Sequence, residues 1–297
     1  MHEVVLIGYG SIGARHYTNL KKLGCDVVAV ADPRFVYENV DTLFDDVDGT
    51  SWYSNVDACL KQHAEDRIVV IASPTQYHEK QFAKSRFYGA KAVFIEKPLY
   101  YKYPDVWYAK TPATVGHNYR FHPVIKRLKN TIAFDPTATL IMMAYDDVVN
   151  WPNYSRDSWL CGEYGGTLLT SASHSIDTAL YLMGPVDSVW CKLYYNKKLA
   201  ESDTGVDLRL AHSSGASTNI TIRWEGPKVS TLAYVGKKHI GTFNLLAYNH
   251  DMHLEMMKSF LDYMDGKPSE VCKLEEGLEV MKIIDAARKS KGAYVNV

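Results

Sequence analysis

The chain opens with a strand, a glycine-rich turn and a helix, and this opening limits the possible folds more than any other feature. Glu3–Ile7 (EVVLI) is apolar from Val4 onward, Gly8-Tyr9-Gly10-Ser11-Ile12-Gly13 follows it, and Ser11–Leu23 carries helical periodicity up to Gly24. A strand apolar on both faces must be buried on both, which a parallel sheet covered by helices achieves. The alternation continues. Asp26–Val30, Arg67–Ala72 and Lys91–Ile95 read as strands, and Val56–His63 and Gln76–Tyr88 as helices. Phe35–Asp48 is acidic and weakly periodic, and its structure stays open.

After Pro98 the texture changes. Tyr100–Thr114 reads as a short irregular connection, Pro123–Thr131 as a helix, Thr137–Val149 as a strand and Gly166–Leu182 as a helix closed by Gly184 and Pro185. Strand-like runs follow at Asp187–Tyr195, Val206–His212, Ala216–Trp224, Val229–Val235 and His239–Leu246. Residues 213–215 and 236–238 are tight-turn candidates, which implies a largely antiparallel sheet. Helices at His250–Met264 and Leu274–Ser290 finish the pattern. The expected organisation is α/β throughout, with a first domain over 1–117 and a second over 118–297.

The glycine turn has a chemical partner. Asp32 stands 19 residues beyond Gly13, at the end of the second strand. In this setting Gly8 makes the tight turn, Gly10 admits a pyrophosphate to the backbone, and Gly13 lets helix and strand touch. The start of the helix, at Ser11 and Ile12, offers unpaired N–H groups to phosphate. Asp32 would accept from a ribose 2′-hydroxyl and repel a 2′-phosphate, which favours NAD over NADP. Arg34 pulls the other way, since a guanidinium can pair with phosphate.

Composition excludes several classes. Charged residues at 23% and hydrophobic ones at 46% are ordinary for a folded domain. A formal net charge of −1 gives no reason to expect nucleic acid or an anionic membrane as partner. No apolar run approaches the roughly 20 residues of a membrane span, and the first residues lack the basic start of a signal peptide. Cys25, Cys59, Cys161, Cys191 and Cys272 are odd in number and lack C-x-x-C spacing, so a reducing cytoplasm is expected. The eleven histidines show no metal-ligand spacing, and no metal is expected.

Further motifs narrow the reading. They are GYGSIGARH (Gly8–His16), Ser73-Pro74-Thr75 with His78, Glu96-Lys97-Pro98, VGHNYRFHP (Val115–Pro123) and GGTLLTSASHSID (Gly165–Asp177). With them the chain resembles the Gfo/Idh/MocA oxidoreductases over nearly its whole length. The resemblance implies an N-terminal Rossmann domain and a C-terminal α/β domain on an open, mainly antiparallel sheet. It also implies hydride transfer between NAD or NADP and a ring carbon of a sugar, nucleotide sugar or cyclitol, and assembly as a homodimer or homotetramer. Strands Val206–His212 and Ala216–Trp224 are expected to offer an apolar face without helix cover to that assembly.

Carried onto this chain, the resemblance makes Lys97 the lysine that hydrogen-bonds the reacting hydroxyl and His174 the proton acceptor. Ser73, Pro74, Thr75, His78, Glu96 and Lys97 join the cofactor set. Asp177 either orients His174 or is simply solvated. Four residues before His174 the family commonly has aspartate, and this chain has Thr170, which can hydrogen-bond a hydroxyl but cannot take its proton. Tyr154, Arg156 and Trp159, with Trp151 and Tyr164, precede the glycine pair where the family contacts substrate. Aromatic faces and an arginine suit sugar rings, and equally they pack a loop on a sheet. Asn118 and Arg120 complete the substrate set, with Tyr119 and Phe121 as packing. Two other functions keep the same fold, namely a non-catalytic NAD(P)-binding sensor, which Thr170 favours, and an NAD-dependent glycosidase.

Overall fold

The computed structural model describes residues 1–35, 49–104, 111–132, 135–151 and 154–297. Most of Phe35–Asp48 and part of the connection before Thr114 fall outside that set. Packing divides the chain into two compact units. The first comprises Met1–Tyr100, Pro104–His117 and His253–Leu274; the second comprises Tyr101–Tyr103, Asn118–Met252 and Glu275–Val297. One division lies at 117/118. Residues 253–274, however, group with the first unit rather than with a continuous 118–297.

In the first unit the order is β1 (Glu3–Ile7), α1 (Ser11–Lys22), β2 (Asp26–Ala31), β3 (Ser51–Tyr53), α2 (Val56–His63), β4 (Ile68–Ile71), α3 (His78–Phe87), β5 (Ala92–Ile95) and β6 (Ala113–Val115). The strands lie in the order β3-β2-β1-β4-β5-β6 and pair in parallel. Val4–Ile7, Ile68–Ile71 and Ala92–Ile95 are buried along their whole length, as strands covered on both faces must be. Strand order reverses between β1 and β4. In sheets of this type the crevice outside the carboxyl ends at the reversal binds ligands.

The second unit holds α4 (Pro123–Thr131), β7 (Thr139–Tyr145), a π turn (Thr167–Ser171), α5 (Ala172–Met183), β8 (Val186–Tyr194), β9 (Gly205–His212), β10 (Ser217–Arg223), β11 (Val229–Val235) and β12 (Ile240–Asn244). After α6 (Met252–Met264) and β13 (Cys272–Lys273) come α7 (Leu274–Ser290) and β14 (Val295–Asn296). β13 pairs with β6, and β14 with β8. The second sheet runs β12-β11-β7-β10-β9-β8-β14 and is antiparallel except for the β7–β10 pair. Its strands alternate as half-buried strands should. Val206, Leu208, Leu210, Ile220 and Ile222 are buried, and β10 and β7 pack on α5. The expected uncovered apolar face on β9 and β10 is therefore corrected, because the apolar residues face a helix. The outward positions hold Asp207, Arg209, Asn219, Thr221 and Arg223. Among the described residues no helix is long and apolar enough to cross a membrane.

Candidate functional site

In the first unit the glycine turn is built by backbone meeting backbone. A Cβ on Gly8 would lie 2.7 Å from the main chain of Ala72 and Ser73, just past β4, and one on Gly13 would lie 2.0 Å from the Gly8 carbonyl oxygen. Neither position tolerates a side chain. Gly10 differs, because nothing lies within 4 Å of where its Cβ would stand. Gly10 is also the N-cap of α1, and no side chain bonds the helix's first N–H groups there. Ser11 is exposed there and Ile12 half-buried. The hydroxyl of Thr75 is buried at the carboxyl edge of β4 without a hydrogen-bond partner among the described residues. An open cradle of N–H groups and an orphaned hydroxyl fit a dinucleotide.

Asp32 follows β2, 6% exposed. The N–H of Tyr9 donates to its Oδ2 at 2.7 Å. Arg34 donates to Oδ1 from its main chain and Nε, and to Oδ2 from Nη2, each at 2.9 Å. Burial opposes charge on this carboxyl, but the bonds from Arg34 and Tyr9 hold it below the usual aspartate value. The two residues the sequence set against each other are thus one forked ion pair.

Beyond β5 stand Glu96, Lys97 and a cis Pro98. Buried Glu96 accepts from His16 Nε2 at 2.7 Å and, through Oε2, from the N–H of Lys97 at 3.1 Å. Burial works against its charge, and the His16 hydrogen bond and positive neighbours bring it below the ordinary glutamate value. Lys97 is half-buried. Its ammonium is pushed below the ordinary lysine value by burial, with Glu96 opposing. His78, expected against the cofactor, is buried with both ring nitrogens on carbonyl oxygens. Nε2 faces Ser73 at 2.7 Å, and Nδ1 faces Pro98 at 3.0 Å and Leu99 at 3.2 Å. It fastens the turn after β5 to the turn after β4. Ser73 donates to Gln81 at 2.5 Å, and Pro74 opens the one-turn helix before α3.

In the second unit His174 lies in the first turn of α5, half-buried, with its ring stacked on Tyr119 at 4.6 Å and 15°. Tyr119, expected as packing, has the candidate base itself as its packing partner. Asn118 is buried and opens the one-turn helix that carries Tyr119 and Arg120. Arg120 is 2% exposed. Its Nε and Nη2 donate to Asp177 at 2.7–3.1 Å, and its Nη1 donates to Glu276 at 3.1 Å. A buried guanidinium must be paired, and these two carboxylates pair it. Asp177, 0% exposed, is accordingly not a solvated residue.

The aromatic loop is largely packing. Trp151 and Tyr154 lie on a core of Val148, Cys161, Ala200 and Trp224. Tyr154 donates to the Leu199 carbonyl at 2.8 Å, and Arg156 reaches the Lys197 carbonyl and the Glu201 carboxylate. Trp159 is half-buried. Thr170 is 3% exposed and its hydroxyl donates to the Gly166 carbonyl at 2.6 Å, closing the π turn. Two contributors have no expectation from sequence: Glu276 lies far from Arg120 in the chain, whereas His16 stands within the GYGSIGARH motif, where it can be found.

Comparisons with known proteins agree with this architecture. The family model described as "Oxidoreductase family, NAD-binding Rossmann fold" (Gfo/Idh/MocA) matches residues 2–110, and that family's C-terminal domain model matches 139–238. Among solved structures, the WlbA dehydrogenase of Bordetella pertussis, in complex with NADH and UDP-GlcNAcA, is 18% identical with a TM-score of 0.83, covering 100% of this chain and 98% of that one. A levoglucosan dehydrogenase in complex with NADH is 17% identical with a TM-score of 0.80, over 100% and 99% of the two chains. A myo-inositol dehydrogenase from Corynebacterium glutamicum is 18% identical with a TM-score of 0.76, over 100% and 99%. At such identities the likeness is one of fold. No curated protein sequence matches the chain. With both family models matched in order, and an open glycine cradle beside a buried Asp32, the chain belongs to the Gfo/Idh/MocA family of NAD-dependent oxidoreductases.

Proposed function

We propose that this dehydrogenase interconverts a hydroxyl and a ketone at a ring carbon of a sugar, nucleotide sugar or cyclitol. The observation that carries the reading is Lys97, half-buried directly beyond β5 at the ligand-binding edge of a Rossmann sheet, its main chain bonded to a buried carboxylate. The names of the structural neighbours support the substrate class. NAD, when bound, supplies the acceptor or donor of hydride. Gly8, Gly10, Ser11, Ile12 and Gly13 would hold its phosphates, Asp32 its ribose, and Ser73, Pro74 and Thr75 the stretch beyond. Lys97 hydrogen-bonds and polarises the reacting oxygen. His174 takes the hydroxyl proton during oxidation and returns it during reduction. A carbinol cannot give up hydride cleanly while it keeps that proton, so both residues lower the same barrier. The ionised Asp32 would repel a 2′-phosphate, which sets NAD ahead of NADP. We place the enzyme in a reducing cytoplasm, on its free buried cysteines, and propose that it works as a homo-oligomer.

The test is NADH formation over a panel of sugars, nucleotide sugars and cyclitols. Lys97→Ala and His174→Ala should each lower turnover about 10²–10⁴-fold while NAD affinity by calorimetry changes little. The alkaline limb of the wild-type rate should fall below the ordinary lysine value of about 10.4, because burial depresses Lys97. NAD binding without turnover on any substrate would replace this reading with the sensor; turnover without net NADH would replace it with the glycosidase.

A further inference from the structure

The glycine pair before α5 has a partner that lies well beyond it in the chain. Asp203, at the threshold of β9, makes three hydrogen bonds to the start of the π turn. Its carbonyl accepts from the Thr167 N–H at 3.0 Å. Its carboxylate Oδ2 accepts from the Thr167 hydroxyl at 2.5 Å and from the Leu168 N–H at 2.7 Å. Oδ1 faces Gly166, where a Cβ would lie within 2.4 Å of it, and Gly166 has φ +92°. A Cβ on Gly165 would lie 1.9 Å from the Leu160 carbonyl oxygen. The two glycines therefore admit the carboxylate on one side and the Leu160 turn on the other. Asp203 is itself fixed, because Glu201 and Ser202 donate to the Cys161 carbonyl and Thr204 donates to that of Tyr194.

We infer that Asp203 is a positioning residue for His174, capping the π turn Thr167–Ser171 and so setting the direction from which α5 presents the imidazole. This rests on the reading of His174 as the group that moves the proton. The physical link is register. A π turn closes one residue later than an α turn, and one residue corresponds to about 100° of rotation around a helix. If the cap is lost and the turn relaxes to α, His174 points elsewhere and leaves Tyr119. Asp203 also lines a cavity of about 490 Å³ with Leu168, Tyr195 and Arg288. That space lets water reach the freed N–H and hydroxyl in a variant, so the protein should fold without the cap while losing its geometry.

Both bonds from the π turn to the side chain fall on Oδ2, so an amide oxygen can replace it. Asp203→Asn should keep turnover, and Asp203→Ala should lower kcat about 10²-fold, the scale of a misplaced catalytic group, with NAD affinity unchanged. A second readout does not depend on catalysis. The stacked Tyr119 ring shifts the His174 imidazole proton resonance, which is assigned by its disappearance in His174→Gln. That resonance should move toward the unstacked position in Asp203→Ala and stay in place in Asp203→Asn. An unmoved resonance in the alanine variant, whatever happens to turnover, overturns the inference. So does an asparagine variant that behaves like alanine. If His174→Ala keeps full turnover, the catalytic reading fails on its own, and the resonance still decides the positioning. Should Asp203→Ala not fold, Thr167→Val removes one of the two side-chain bonds and must move the same resonance in the same direction.

Discussion

Each unit has a turn that admits only glycine, and the two turns use it differently. At Gly8 and Gly13 the excluded side chain would strike main chain of the same unit's first βα turn or of the neighbouring strand end. At Gly166 it would strike a carboxylate that arrives 37 residues later in the chain. The first turn is a contact of backbone with backbone, from which the Asp32 carboxylate takes only the Tyr9 N–H. The second is a lock with a separate key. A phosphate cradle can therefore be specified by a short local motif, whereas the presentation of His174 depends on side chains from several segments.

The largest effect should come from the glycines that look alike in sequence and differ in space. Gly13→Ala places a Cβ 2.0 Å from the Gly8 oxygen and should abolish the folded first unit, read as loss of the cooperative melting transition. Gly10→Ala meets nothing within 4 Å. It should melt like the wild type yet bind NAD far more weakly in calorimetry, since its methyl enters the phosphate cradle. Equal melting losses in both would break the distinction between a structural and a ligand-facing glycine.

A smaller effect sharpens the other side of the comparison. Arg120→Met takes the guanidinium away from Asp177 and Glu276, and breaking such a buried pair costs about 3–5 kcal/mol, measurable by urea unfolding. The double variant Arg120→Met/Asp177→Leu should recover most of that loss, because replacing both charges removes the desolvation problem. If the double variant is no better than the single, the network through Glu276 rather than the pair carries the stability.

These two tests also mark where the sequence was legible. EVVLI, the glycine turn and Asp32 declare themselves because apolar runs, glycines and a spaced carboxylate are all local signals. β3, β6, β13 and β14 were missed because two or three residues cannot show a period of two. The helix expected over Gly166–Leu182 begins as a π turn because Asp203 and Thr170 close it, and neither bond has a local signature. Arg120 read as a substrate contact because its partners Asp177 and Glu276 are distant in sequence, so nothing nearby announced that its charge was already satisfied. Trp151 and Tyr154 allow two readings in sequence because the core of Cys161, Ala200 and Trp224 beneath them is assembled from distant segments.

The smallest effect should be shared by both units. His63 and His78 in the first, and His122 and His212 in the second, are all held below the ordinary histidine value chiefly by burial. The unfolded chain then takes up protons before the folded one does. Stability is full above about pH 6.5 and falls as the pH drops through that value. Melting temperature should decline from pH 7 to pH 5. His212→Gln should flatten the slope, since His212 sits between the Gly184 carbonyl and the Thr218 hydroxyl.

The discontinuity of the first unit bears on how the chain is made. β6 is paired with β5 on one side, and its other edge is covered by β13, where Val115 faces Cys272. Phe94 of β5 packs on Phe260, with ring centroids 5.4 Å apart. While the ribosome is still adding the second unit, that edge and that ring have no partners. At about 5–20 residues per second the wait from Val115 to Cys272 is roughly 8–30 s. An unpaired strand edge is a template for wrong pairing. The nascent chain should therefore need that edge shielded from the emergence of β6 until β13 follows it.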